Sequence, residues 1–284
     1  MKRFFRKKIR ESCLIIICVS SSLFYFSIVI TAMGNPQDVP QPIQEMFQSN
    51  LVYPQEEDEV QLTLFPSFGK NKDSEEIVTL FEIEYGITDA FQFIFEWDGL
   101  LHKNPNNGST LSGPGNIELG GQYSWMALGD GNTHFSFGTL IELPVGAVNK
   151  KLTEGFMEIQ PFVVLARDFP KFNQSQIFIE LGFNWKDQLR GSPEPKAEVD
   201  SALWNVGAFF PFEAWRATLE INGKNNNIDG GSSNEIYLTP GIIYKLSRSL
   251  EIGVANSVGI TNSSDDYKVI GYLMWEFELD ETFN

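Results

Sequence analysis

The feature that most restricts this chain is a two-residue hydrophobic period that begins near residue 59 and continues almost to the end. Phe91, Phe93, Phe95 and Trp97 alternate with Gln92, Ile94, Glu96 and Asp98. Ile177, Ile179, Leu181, Phe183 and Trp185 alternate with Gln176, Phe178, Glu180, Gly182 and Asn184, and Trp215, Ala217, Leu219 and Ile221 with Arg216, Thr218, Glu220 and Asn222. Successive side chains of a strand point to opposite faces, so this spacing describes strands with one apolar face; a helix would need apolar residues three and four apart. About twelve such runs follow one another, each roughly ten residues long. They begin near residues 59, 76, 90, 116, 133, 156, 175, 198, 214, 235, 249 and 268.

The connections alternate in length. Short turns fall at 86–89, 128–132, 169–173, 212–213 and 247–249, and longer loops at 99–115, 144–155, 186–196, 223–234 and 261–267. Brief turns on one side and long loops on the other are the rhythm of a bacterial outer-membrane barrel. The apolar faces carry essentially no charge, where one Lys or Arg at the bilayer midplane would cost about 2–4 kcal/mol. Trp97, Trp125, Trp185, Trp215 and Trp275 sit near strand ends, as interfacial girdles require, and Trp204 is the exception. A soluble sheet would need a second element over its apolar stripes, and no helix is on offer. The expected fold is therefore all-β: a transmembrane antiparallel up-and-down β-barrel of about twelve strands over residues 59–279, with a short tail at 280–284. An even strand number puts both termini on the periplasmic side.

Upstream, Lys2, Arg3, Arg6, Lys7, Lys8 and Arg10 precede an apolar run from Cys13 to Ala32, the pattern of a secretory signal peptide over residues 1–34. Cleavage after Gly34 fits the small residues Ala32 and Gly34, with cleavage after Ala32 as the rival. Both cysteines, Cys13 and Cys18, would leave with that leader, so no disulfide or thiolate chemistry is expected in the mature chain. Residues 35–58, with Pro36, Pro40, Pro42, Pro54 and Glu56-Glu57-Asp58, suggest a flexible N-terminal periplasmic extension. The full chain carries 37 acidic against 21 basic residues and two histidines. That balance argues against nucleic acid as a partner, and no metal or cofactor is expected. The expected partners are outer-membrane lipid, the barrel-assembly machinery of a Gram-negative cell and a small-molecule solute.

Several short stretches carry a family resemblance. Tyr85-Gly86-Ile87-Thr88-Asp89-Ala90-Phe91 resembles the YGLTDRLE-type hairpin of the MetA-pathway of phenol degradation, or transporter, family of bacterial outer-membrane β-barrels. Gly113-Pro114-Gly115-Asn116-Ile117-Glu118-Leu119-Gly120-Gly121-Gln122-Tyr123 is similar to its GxGDxxLGxKY stretch, with Asn116 in place of the usual Asp. Leu238 through Tyr272 resembles its closing strands, although the chain ends on Phe283-Asn284 rather than on a terminal aromatic. The resemblance implies a porin-like protein that passes small, often hydrophobic or aromatic, molecules.

On the polar faces lie Glu82, Glu84, Glu96, Asp98, Glu118, Glu142, Glu158, Glu180, Glu220, Glu251, Glu276 and Glu278, with Arg216 and Lys245 as their chief basic company. These are the candidate lumen residues: rings of carboxylates give a lumen a negative potential that attracts cations. The structural alternative for each is cross-strand pairing inside a narrow barrel. His134 and Ser136 share a strand face and could form a nucleophilic pair, but the motif of a lipid-directed hydrolase is missing, and no catalysis is expected. The expected function is transport of small molecules through an acidic lumen. Its alternatives are that hydrolase and a non-transporting surface barrel that binds partners through its long loops.

Overall fold

The computed structural model of the chain describes residues 41–43, 45–147, 152–153, 155–188, 201–228 and 231–279. The leader, residues 35–40 and the tail 280–284 lie outside the described residues. Thirteen strands follow in order: β1 (Glu59–Lys70), β2 (Ser74–Thr88), β3 (Phe91–Pro105), β4 (Leu111–Gly113), β5 (Ile117–Leu128), β6 (Thr133–Leu143), β7 (Phe156–Phe169), β8 (Ser175–Gln188), β9 (Ser201–Phe212), β10 (Trp215–Ile228), β11 (Gly231–Lys245), β12 (Leu250–Gly259) and β13 (Tyr267–Glu278). Each long strand pairs antiparallel with the next, the short β4 pairs only with the far end of β3, and β13 returns to β1 with Leu62 opposite Trp275. The result is a closed up-and-down barrel of twelve long strands, as the alternation predicts.

The two faces sort as the period demands. Phe93 is exposed while its neighbours Gln92 and Ile94 are buried, and Leu165, Leu181, Trp185 and Val254 are about half exposed on the same outer surface. A closed barrel with an apolar outside is built to face lipid, the inverse of a soluble barrel. Near the short turns the outer rings cluster: Tyr123 with Trp125 at 4.7 Å between centroids, Trp215 with Tyr244 at 4.4 Å, and Trp275 with Phe277 at 4.9 Å. Trp204 stands opposite Gly223 in mid-sheet.

Two expectations need correction. The long loops expected at 99–115 and 223–234 are instead largely strand: β3 runs to Pro105 with β4 at Leu111–Gly113, β10 runs to Ile228 and β11 resumes at Gly231, with Asn225 and Asn226 opposite Asn234 and Ser233. The inner face is also far less hydrated than its polar residues suggest. Met126, Phe162, Val164, Phe178, Phe209, Ile243 and Met274 point inward and form a buried core within the barrel. The sheet makes room for these rings locally: a Cβ on Gly207 would come within 2.3 Å of the Phe178 ring on the next strand.

Candidate functional site

The partner of that inner core is the segment expected to lie free in the periplasm. Within residues 41–55, Ile43, Met46, Phe47, Leu51, Val52 and Tyr53 are buried in the same cluster as the inward-facing strand residues. The segment is a plug, and the expected flexible extension is corrected for this part of the chain. None of its described residues joins a strand ladder, so its polar groups turn to side chains of the wall.

Glu220 of β10 makes the densest of these contacts. Its carboxylate accepts the backbone N–H of Phe47 and of Gln48, each at 3.2 Å, and the Ser49 hydroxyl at 2.6 Å. Glu180 of β8 accepts the backbone and side-chain N–H groups of Asn50 at 3.2 and 2.8 Å. Gln48 donates from its amide to Thr239 at 2.6 Å and to Ser257 at 3.0 Å, while the Gln122 amide donates to the Leu51 carbonyl at 2.8 Å. Arg216 donates to the carbonyl of Pro42. Glu220, Glu180 and Arg216, all singled out on the polar faces, therefore help to seat the plug.

The plug's root explains the Tyr-Gly-x-Thr-Asp stretch. The Tyr85 hydroxyl donates to Asp58 at 2.8 Å, the Gly86 carbonyl accepts the Asp58 N–H at 3.0 Å, and Asp89 accepts the Glu57 N–H at 3.3 Å. The chain crosses so closely here that a Cβ on Gly86 would lie 1.7 Å from the Glu56 carbonyl oxygen. Asp58 itself turns the chain into β1 in the left-handed region, at φ 66°. Further in, Gln55 donates to Gln92 at 2.7 Å through its backbone and to Glu84 at 2.9 Å through its side chain.

The remaining acids form a ladder that only the register shows. Glu82, Glu96, Glu118, Glu142 and Glu158 stand directly opposite one another on β2, β3, β5, β6 and β7. The row ends on Lys186 of β8, paired with Glu158 at 2.5 Å. Directly opposed like charges destabilise a sheet, so five in sequence are a departure from structural optimum. Glu82, Glu96, Asp98 and Glu118 line a cavity of about 300 Å³, bounded on one side by residues 45–50 of the plug and on another by Phe65, Leu80, Leu140 and Ile270. Lys268 of β13 lines it too. Lys186 and Lys268 are inward bases that the sequence reading did not single out. Arg216 and Lys245 both approach Glu251, at 3.7 and 4.0 Å. Glu276 stands opposite Gln61, and Glu278, expected in the lumen, is exposed at the last position of β13.

The plug adds one more acid to this wall. Oxygens of Glu45, Glu82 and Glu84 lie within 4.8 Å of one another, and Glu45 accepts the amide of Gln61 at 3.4 Å. Burial, followed by the charge of Glu84, pushes the Glu45 carboxyl well above the usual carboxylate range. Nothing beyond the carboxylates themselves points to a bound cation.

His134 is fully buried and belongs to a different network. The Ala127 N–H donates to its Nδ1 at 3.0 Å, which leaves the Nε2 proton for Asp168 at 2.8 Å. Asp168 also accepts the Tyr53 hydroxyl at 3.1 Å and the Gln176 amide at 2.7 Å. Burial, then Asp168, raises the Tyr53 phenol above its ordinary pKa. Ser136 is buried and its hydroxyl has no hydrogen-bond partner. The imidazole nitrogen that would have to act as base is occupied by a backbone amide, so the pair is not arranged for nucleophilic attack.

No protein-family model and no curated protein matches the sequence. Among solved structures, the NanC porin is similar over 77% of this chain and 100% of its own, with 12% identity and a TM-score of 0.53. The KdgM porin, solved in complex with disordered oligogalacturonate, is similar over 78% of this chain and 99% of its own, with 8% identity and a TM-score of 0.50. At such identities the likeness establishes the shared fold, a closed antiparallel β-barrel.

Proposed function

We propose that the protein is an outer-membrane channel for small solutes whose lumen favours cationic ones. The observation that carries the reading is the five-glutamate ladder, of which Glu82, Glu96 and Glu118 line a cavity of about 300 Å³ inside a closed, apolar-skinned barrel. A carboxylate row with one terminal lysine gives the lumen a negative potential, and Phe65, Leu80, Leu140 and Ile270, which line the same cavity, accommodate the apolar part of a solute. The resemblance to the MetA-pathway family supports small hydrophobic or aromatic molecules as cargo. In this reading residues 1–34 are an export leader, the plug's root and the C-terminus lie on the periplasmic side, and lipid surrounds the outer belt after assembly.

The test is conductance in planar bilayers, with reversal potentials in a salt gradient, for the exported chain and for a chain lacking residues 41–55. The plugless chain should conduct and prefer cations. Changing Glu96, Glu118 and Glu142 to Gln together should move its preference toward anions. One rival reading draws on the buried core inside the barrel: a permanently filled barrel whose long loops do the work outside. It requires that the plugless chain neither conduct nor admit solutes to liposomes.

A further inference from the structure

We propose that residues 41–55 are a gate: they shut the barrel while the Glu45, Glu82 and Glu84 carboxyls share protons, and leave the lumen when those groups ionise. The proposal rests on the channel reading and names how that channel is regulated.

Three observations make the plug a movable part. First, it adds no strand to the barrel, and most of its polar contacts with the wall end on side chains, as at Glu220, Glu180, Gln92 and Gln122. It can therefore withdraw without breaking a ladder. Second, its root is clamped at one point, where Tyr85, Gly86 and Asp89 hold Glu57 and Asp58 beside the β2–β3 turn. Once its contacts with the wall release, a chain held at that root swings as a unit. Third, the seat contains a conflict that exists only while the plug is in place, because Glu45 brings a third carboxyl against Glu82 and Glu84.

The surroundings of Glu45 determine the sign. From β2 it meets Glu82 and Glu84, from β3 Glu96, from β1 the neutral Gln61, and from β13 the Tyr272 phenol. Glu118 of β5 stands next to Glu82, and Glu59 of β1 next to Glu84. Of the inward bases, Arg216 and Lys245 lie against Glu251, Lys186 against Glu158, and Lys268 faces Glu76 and Asp98. Each of these described bases sits against an acid outside the Glu45, Glu82 and Glu84 trio. Seating therefore favours the protonated form of Glu45. It carries no penalty below the ordinary carboxyl value of about 4.3 and weakens as the pH climbs from there toward the raised one. Acid favours the seated plug, and rising pH favours its release.

The experiment places a reporter on the plug. Val52 is fully buried, and Val52→Cys in the exported chain, reconstituted in liposomes, is treated with a water-soluble methanethiosulfonate. The labelled site is identified by peptide mapping, and rates are normalised to Ser247→Cys on an exposed turn. The normalised rate should rise about tenfold or more from pH 5 to pH 8, since each unit of differential protonation is worth a factor of ten. The rise should shrink in Glu45→Gln, and in Glu82→Gln on the wall, while channel open probability follows labelling. A rate that stays flat, or a full rise in Glu45→Gln, overturns the gate. If labelling rises but neither the full nor the plugless chain conducts, the channel reading fails while plug release stands. If the plugless chain conducts but labelling stays flat, the channel stands and the gate fails.

Discussion

The plug's attachment can be tested at one residue. Glu220 accepts three hydrogen bonds from residues 47–49 and is itself fully buried. Glu220→Ala removes all three acceptor contacts at once and leaves two N–H groups and a hydroxyl facing a small void. A hydrogen bond to a charged group contributes about 1.5–3 kcal/mol, and the three share one carboxylate, so about 3–6 kcal/mol is the expected total. That is a factor of about a hundred to ten thousand in the equilibrium between seated and unseated plug. Hydrogen exchange read by mass spectrometry on the peptide covering residues 46–53 reports this equilibrium directly, because these amides exchange when the segment opens. Protection there should fall by that factor while the barrel strands keep theirs, and heat-modifiable mobility on gels should remain that of a folded barrel. Glu220→Gln keeps an acceptor oxygen in place and should lose much less. Unchanged protection of residues 46–53 in Glu220→Ala would refute the claim that side-chain acceptors hold the plug.

Other perturbations probe the root and the ladder. Gly86→Ala puts a methyl group where the Glu56 carbonyl passes, so exchange across residues 46–55 should rise and, in a conducting channel, bilayer current should rise with it. Glu118→Gln removes the middle charge of the ladder, whose neighbours Glu96 and Glu142 stand directly opposite. Each relieved like-charge pair is worth about 0.2–1 kcal/mol. Thermal unfolding in detergent should therefore shift upward, and by more at high pH than at low.

The parts of the site that were legible in the sequence are those governed by local spacing. The period of two assigned each strand residue to a face, so Glu82 and Glu96 were read as inward from position alone. That Glu82 meets Glu96, Glu96 meets Glu118 and Glu118 meets Glu142 depends on register, which shift and turn geometry settle only once strands pair. The plug was hidden for a compositional reason: its prolines, glutamines and acids resemble a linker. A signal was nonetheless present, since Ile43, Met46, Phe47, Leu51, Val52 and Tyr53 crowd apolar surface into a stretch that a solvated tail would not carry. Inward apolar residues such as Phe162 and Phe178 pointed the same way, being an apolar surface that lacked a partner.

The sequence by itself determined that the chain closes into a twelve-stranded barrel with its apolar face outward, because alternation and turn rhythm are local properties written every ten residues or so. Only the tertiary structure decided what fills the barrel. A lumen lined by both acids and large apolar side chains is compatible with water, solute or chain, and the occupant follows from three-dimensional proximity. Glu220, Glu180 and Asp168 lie more than a hundred residues from the plug they hold. No spacing rule reaches that far, so the acidity that looked like a pore lining proved in part to be the plug's anchorage.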